Sequence, residues 1–208
     1  GFLDHILKSG DSLLCIHQLN QLMELSMTPG GKGQQRLFGR NIEQAVHEAI
    51  ELRQRLRKMP IRDVNDVAAM ARLNASAQLS LEISERIADA FIGEVFGAAG
   101  SGAALDAGLS TLSIQAGQVA NGDQGSLNAI IQRASCKLSD NLPVGKARRR
   151  PFHWPLEFPE VFVREKPGFD ALVGNPPFLG GKRISSVMGT SFNAYLAGVH
   201  PGASKNTD

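Results

Sequence analysis

The chain is poor in the residues that mark several common kinds of protein. Its 208 residues include two cysteines, Cys15 and Cys136, which form no metal-type pair and no disulfide framework. Both are read as small apolar fillers of a reduced protein. The five histidines, His5, His17, His47, His153 and His200, are scattered, and His47-Glu48 has no second His four residues after the first. No metal site is expected. No apolar run approaches the roughly 18–20 residues of a membrane span, and no signal-peptide pattern is present, so a cytoplasmic location is expected. Gly31-Lys32-Gly33 lacks the spacing and the Ser/Thr of a phosphate-binding loop. The glycines between Gly97 and Gly102 follow a helical pattern rather than a strand, so they read as a flexible link between helices. Gly10-Asp11-Ser12-Leu13 resembles an esterase motif without the His/Asp arrangement that would activate Ser12. There is no internal repeat and no initiator Met, and the chain reads as a piece of a longer protein.

An apolar content of 42% with 20% charged residues is that of a globular protein and excludes disorder throughout. The net charge of +2 is unevenly spread. Residues 1–145 hold 13 basic and 15 acidic side chains, whereas residues 146–208 hold 9 and 5. The basic excess suits a solvated surface as well as one that faces phosphate.

Phe2 to Leu7 alternates loosely and predicts a short strand, with a turn at Ser9–Ser12. Leu13 to Met27 predicts a helix. Ile42, Val46, Ala49, Leu52, Leu56 and Met59 recur at steps of three and four, which predicts an amphipathic helix ended by Pro60. Asp63 is an N-cap for a second long helix whose apolar series is Val64, Val67, Ala71, Ala75, Leu79, Ile83, Ile87 and Phe91. Together they predict an antiparallel helical hairpin. A weaker helix is expected near Leu105–Val119, and another amphipathic one capped by Ser126. Residues 140–151 read as a linker carrying Arg148-Arg149-Arg150. Aromatics and prolines crowd between Pro151 and Phe162, and Phe169–Gly174 predicts a short buried strand. A helix is expected around Val187–Leu196. Strand, helical block and strand in that order predict an α/β unit interrupted by a helical insertion.

That second strand runs into Asn175-Pro176-Pro177-Phe178. An exocyclic amine on an aromatic base is a weak nucleophile, because its lone pair is delocalised into the ring. Two fixed acceptors for its N–H groups favour a tetrahedral nitrogen with the lone pair aimed at a methyl donor. The Asn175 side-chain carbonyl and the Pro176 backbone carbonyl can be those acceptors. The prolines fix φ and bring no competing N–H. Phe178 offers a flat face on which a base can stack. A base paired in a duplex must flip out to reach such a pocket.

The stretch from Phe169 to Phe178 resembles motif IV of N6-adenine DNA methyltransferases. The phrase Phe152–Phe162 and the loop Leu179–Ile184 are similar to the surroundings of that motif in type IIG restriction-modification and BREX- or DISARM-like phage-defence enzymes. Phe2–Leu14 resembles their motif III. The resemblance implies a partial Rossmann-like methyltransferase fold, dominated by helices, with core segments at 1–15 and 146–208 and a helical insertion at 16–145. It implies S-adenosylmethionine as cofactor, with Asp11 bonding its adenine amino group and Ser12 offering a backbone N–H to the same ring. It implies catalytic roles for Asn175, Pro176, Pro177 and Phe178, double-stranded DNA as partner, and a nuclease domain or restriction and defence subunits alongside. Arg148, Arg149, Arg150, Lys182 and Arg183 are read as solvated side chains, with DNA phosphate as the other reading. The motif that cradles the methionine part of the cofactor would lie before Gly1, so this piece is expected to be inactive alone. Two alternatives stay open: methylation of an rRNA base or a protein glutamine, and an inert fragment or helical interaction module.

Overall fold

The computed structural model describes residues 7–30, 38–175 and 181–200. Nine helices are described: α1 (Leu19–Glu24), α2 (Gly39–Lys58), α3 (Val64–Gly97), α4 (Ala103–Ala120), α5 (Gln124–Leu138), α6 (Trp154–Glu157), α7 (Pro159–Phe162), α8 (Gly181–Met188) and α9 (Thr190–Val199). α3 is the axis of the packing, with α2, α4, α5 and α9 laid against it.

The α/β expectation does not hold. The chain is 65% helical and, among the described residues, forms no strand or sheet. The described β pairing is one isolated parallel bridge between Asp11 and Pro151. The expected strand Phe169–Gly174 instead lies along the surface, with Leu172 79% and Val173 99% exposed. A short apolar strand is stable only when neighbours satisfy both of its backbone edges and cover its faces. Among the described residues no backbone pairs with this segment, and its apolar side chains beyond Phe169 are uncovered. The other expected strand, Phe2–Leu7, lies outside the described residues except for Leu7.

The helices follow their sequence cues more closely. α2 buries Ile42, Val46, Ala49 and Leu56 and ends just before Pro60. The Asp63 carboxylate caps α3 by accepting the N–H groups of Asn65 at 2.7 Å and Asp66 at 3.0 Å. α2 and α3 pack as the expected hairpin. The face of α3 differs from expectation, because its apolar series advances mostly in steps of four. Four residues overshoot a 3.6-residue turn by about 40°, so such a series winds around the helix. Ala77, Leu81, Ser84 and Ala88 make the buried seam. Leu79 and Ile83 fall outside it, and the series reaches the core only at Ile87 and Phe91.

Three local boundaries also move. The helix expected over Leu13–Met27 is confined to α1, because the Gln21 side chain accepts the His17 and Gln18 N–H groups and fixes the start there. The cap of α5 is Asp123, and Ser126 sits inside the first turn with its hydroxyl 2.7 Å from the Asp123 carboxylate. The single helix expected around Val187–Leu196 is two, broken at Gly189, whose φ of +94° favours glycine.

One ion-pair cluster lies within the packing. Glu94 of α3 is almost fully buried and pairs with Arg133 and Lys137 of α5. Gly108 of α4 leaves room for that carboxylate, and a Cβ there would run into it.

Candidate methyltransferase site

Asp11 sits in a turn joined to the other end of the chain. Its N–H donates to the Arg150 carbonyl at 2.7 Å, and the Phe152 N–H donates to the Leu14 carbonyl at 3.1 Å. These bonds join residues 11–14 to residues 150–152 across the intervening helices. Gly10 lets these two segments approach, since a Cβ there would lie 2.9 Å from Cβ of Phe152. Behind the turn Leu14, Cys15 and Ile16 are fully buried.

The Asp11 carboxylate accepts the Leu13 N–H through Oδ1 at 3.1 Å, which fixes its direction. Partial burial raises its pKa, opposed by N–H groups of Leu13 and Leu14 and by the charge of Arg149. Ser12 is exposed, and among the described residues its N–H donates to no acceptor. Its carbonyl accepts the Cys15 thiol at 3.0 Å. Burial, with help from the Asp11 charge, pushes that thiol up to about 12, so Cys15 is an inert filler.

His153 holds the same junction from below. It is buried, with Nε2 3.1 Å from Asp89 Oδ1 on α3 and Nδ1 receiving the Ile16 N–H at 3.5 Å. With both ring nitrogens committed it serves structure rather than proton transfer.

Arg149 departs most from the sequence reading. It is neither solvated nor free for DNA phosphate. Its guanidinium is buried and donates to the carbonyls of Leu138 at 2.9 Å, Asp140 at 2.7 Å and Met188 at 2.7 Å, while its Cζ lies 4.7 Å above the Phe96 ring. The ends of α5 and α8 both leave carbonyls without helical partners, and one cation satisfies both. Its neighbours Arg148 and Arg150 are exposed. No feature of the run Arg148-Arg149-Arg150 distinguishes its middle member, so only folding reveals the role.

The aromatic phrase forms the platform from which the last segment departs. Trp154 stacks near Phe152, Phe158 and Phe162, and Phe169 meets Trp154, Phe158 and Phe162 edge-on at 5.4–5.9 Å. Arg53 of α2 clamps this platform by donating to the Glu157 carbonyl at 2.6 Å and pairing with Glu160 at 3.2 Å. Arg57 adds a second bond to Glu160 at 2.7 Å. From Phe169 to Asn175 the chain is irregular and exposed, the Asn175 side chain included. Pro176, Pro177 and Phe178 lie outside the described residues, as do the side chain of Lys182 and the start of the loop after the tetrapeptide. Arg183 is exposed.

The sequence model of the Eco57I restriction-modification methylase family matches residues 65–208, which is most of the chain and includes Asn175-Pro176-Pro177-Phe178. The chain belongs to this family. It is thereby a methylase-family protein of restriction-modification systems. Comparison with curated proteins and with solved structures gave no match.

A cleft of about 420 Å³ also opens between α3, α5 and residues 148–157 of this Eco57I-family chain, lined in part by Glu85, Asp89, Arg148 and Glu157. Burial and the neighbouring Glu157 and Asp89 charges push the Glu85 carboxyl up to about 7. Among the described residues no group of His, Cys, Asp and Glu is placed to hold a metal ion, and no helix is long and apolar enough to cross a membrane.

Proposed function

We propose that the chain contributes to methylating N6 of a flipped adenine in double-stranded DNA, in a restriction-modification or phage-defence system of the cytoplasm. The observation that carries the reading is the family match, because the matched residues include a tetrapeptide whose chemistry suits an aromatic amine. Asn175 Oδ1 and the Pro176 carbonyl accept the two N6 hydrogens and turn the lone pair outward. Phe178 stacks on the extruded base, worth about 1–3 kcal/mol, and Pro177 helps stiffen the loop. Nitrogen becomes acidic once it carries the methyl, so no strong base is needed. S-adenosylmethionine supplies the electrophilic methyl group. Its adenine fits the Asp11 turn, where a directed carboxylate lies beside the uncommitted Ser12 N–H, an acceptor and a donor for one edge of a purine.

The segments 1–15 and 146–208 act as the two halves of the site, and residues 16–145 as the helical insertion between them. The bonds from Asp11 to Arg150 and from Phe152 to Leu14 support that division. A nuclease domain or further restriction subunits complete the system.

Calorimetric titration of the Eco57I-family enzyme with S-adenosylmethionine tests the cofactor half. Asp11→Ala should weaken binding by about tenfold or more, the equivalent of one lost charge-assisted hydrogen bond. Unchanged affinity would remove Asp11 from the site.

A further inference from the structure

The winding apolar series of α3 leaves an unpartnered stripe on the side away from α2. Leu79 is 70% exposed and Ile83 46% exposed, and Ala71 and Ala75 continue the stripe at steps of four towards the N-terminus. Two large residues therefore follow two small ones along one exposed face. Exposed Arg72 lies near the small pair, and Glu82 near the large pair. Among the described residues Glu82 meets only Arg86 of its own helix, at 3.4 Å, with more than half of its side chain in water.

We infer that two copies of this chain pair through α3, antiparallel and centred on position 77. That register sets Leu79 against Ala75 of the second copy and Ile83 against its Ala71, in both directions at once. Large against small is the fit that lets two helix backbones approach closely, and a two-fold axis makes each contact occur twice. The same register sets Arg72 against Glu82 of the second copy, so the charges beside the stripe are self-complementary. A parallel pairing would instead face each residue with its own kind, leaving Ala75 opposite Ala75 and Glu82 opposite Glu82. A nucleic acid surface would favour basic residues alone, whereas beside this stripe the acidic Glu82 stands with Arg72 and Arg86. The patch is short, so the pairing is concentration-dependent rather than obligate.

Sedimentation velocity of the 208-residue chain over a range of concentrations reads the association directly. A reversible dimer is expected. Replacing Leu79 and Ile83 together by Ser should give a monomer with unchanged helicity, since both positions face solvent in the single chain. Arg72→Glu and Glu82→Arg should each weaken the dimer by at least about tenfold. An equimolar mixture of those two variants should dimerise again, because each then meets an opposite charge at both contacts. A chain that stays monomeric at every concentration overturns the inference. So does a dimer indifferent to these changes, or a mixture that fails to recover, and either result would assign the stripe to another segment or partner.

Discussion

Replacing Arg149 by Met should cost more stability than any other change among the three consecutive arginines. Methionine keeps an apolar stem near Phe96 but removes the donors to Leu138, Asp140 and Met188. A hydrogen bond from a charged group contributes about 1.5–3 kcal/mol net, and a buried acceptor left unmet costs about 1–3 kcal/mol. The three bonds share one side chain and do not add fully, and removing the charge recovers some desolvation. A total of about 3–5 kcal/mol follows, a large part of the 5–15 kcal/mol that typically holds a native protein. Urea denaturation followed by far-ultraviolet circular dichroism would show it as a midpoint lowered by roughly 2 M, for an m-value of about 2 kcal/mol/M. Arg149→Lys should recover little, because one ammonium cannot span carbonyls on α5 and α8. Arg148→Ala and Arg150→Ala should stay within about 0.5 kcal/mol of the parent. A midpoint shift below about 0.5 M for Arg149→Met, or full rescue by Lys, would refute the clamp.

Two further changes probe the helical packing and its charges. Gly108→Ala should destabilise by about 1–3 kcal/mol, because the added methyl displaces the buried Glu94 carboxylate from Arg133 and Lys137, and the melting temperature should fall accordingly. Glu85 has a folded pKa of about 7 against an ordinary 4.5, so ionising it in the folded state opposes folding. The stability it allows is fully present below about pH 4.5 and is lost as pH rises through 7. Glu85→Gln should therefore match the parent near pH 4 and exceed it at pH 8 in urea denaturation, and a constant difference across that range would contradict the assignment.

Much of the helical framework was legible because its cues are local. The 3.6-residue period of α2, the Pro60 stop and the Asp63 cap need only a few neighbours to be read. The face of α3 was harder, because a series advancing by fours names apolar positions without saying which part of the spiral meets the core. The expected strand at Phe169–Gly174 marks another limit. Leu172 and Val173 have the composition of a buried strand, but burial is a property of what surrounds a strand, and composition carries no information about that. At the proposed site, the tetrapeptide stands out by its chemistry and the Asp11 turn by its resemblance to motif III. Arg149 and His153 could not, since an arginine in a basic run and a lone histidine acquire their roles only when distant carbonyls and Asp89 arrive beside them. Arg53 likewise acquires its role only in the fold, where it holds the aromatic platform through Glu157 and Glu160.

In the proposed reaction Asn175 helps grip the N6 amine of a DNA adenine. The most direct test of this role replaces Asn175 by Ala in the genomic copy of the host and maps modified bases across the genome, with mass spectrometry of the digested nucleosides. The loss of a transition-state acceptor should cut methylation by orders of magnitude. N6-methyladenine should disappear from one recognition sequence and persist elsewhere. Methylation that survives Asn175→Ala at every sequence, or a loss confined to another base, to RNA or to protein, would contradict this role.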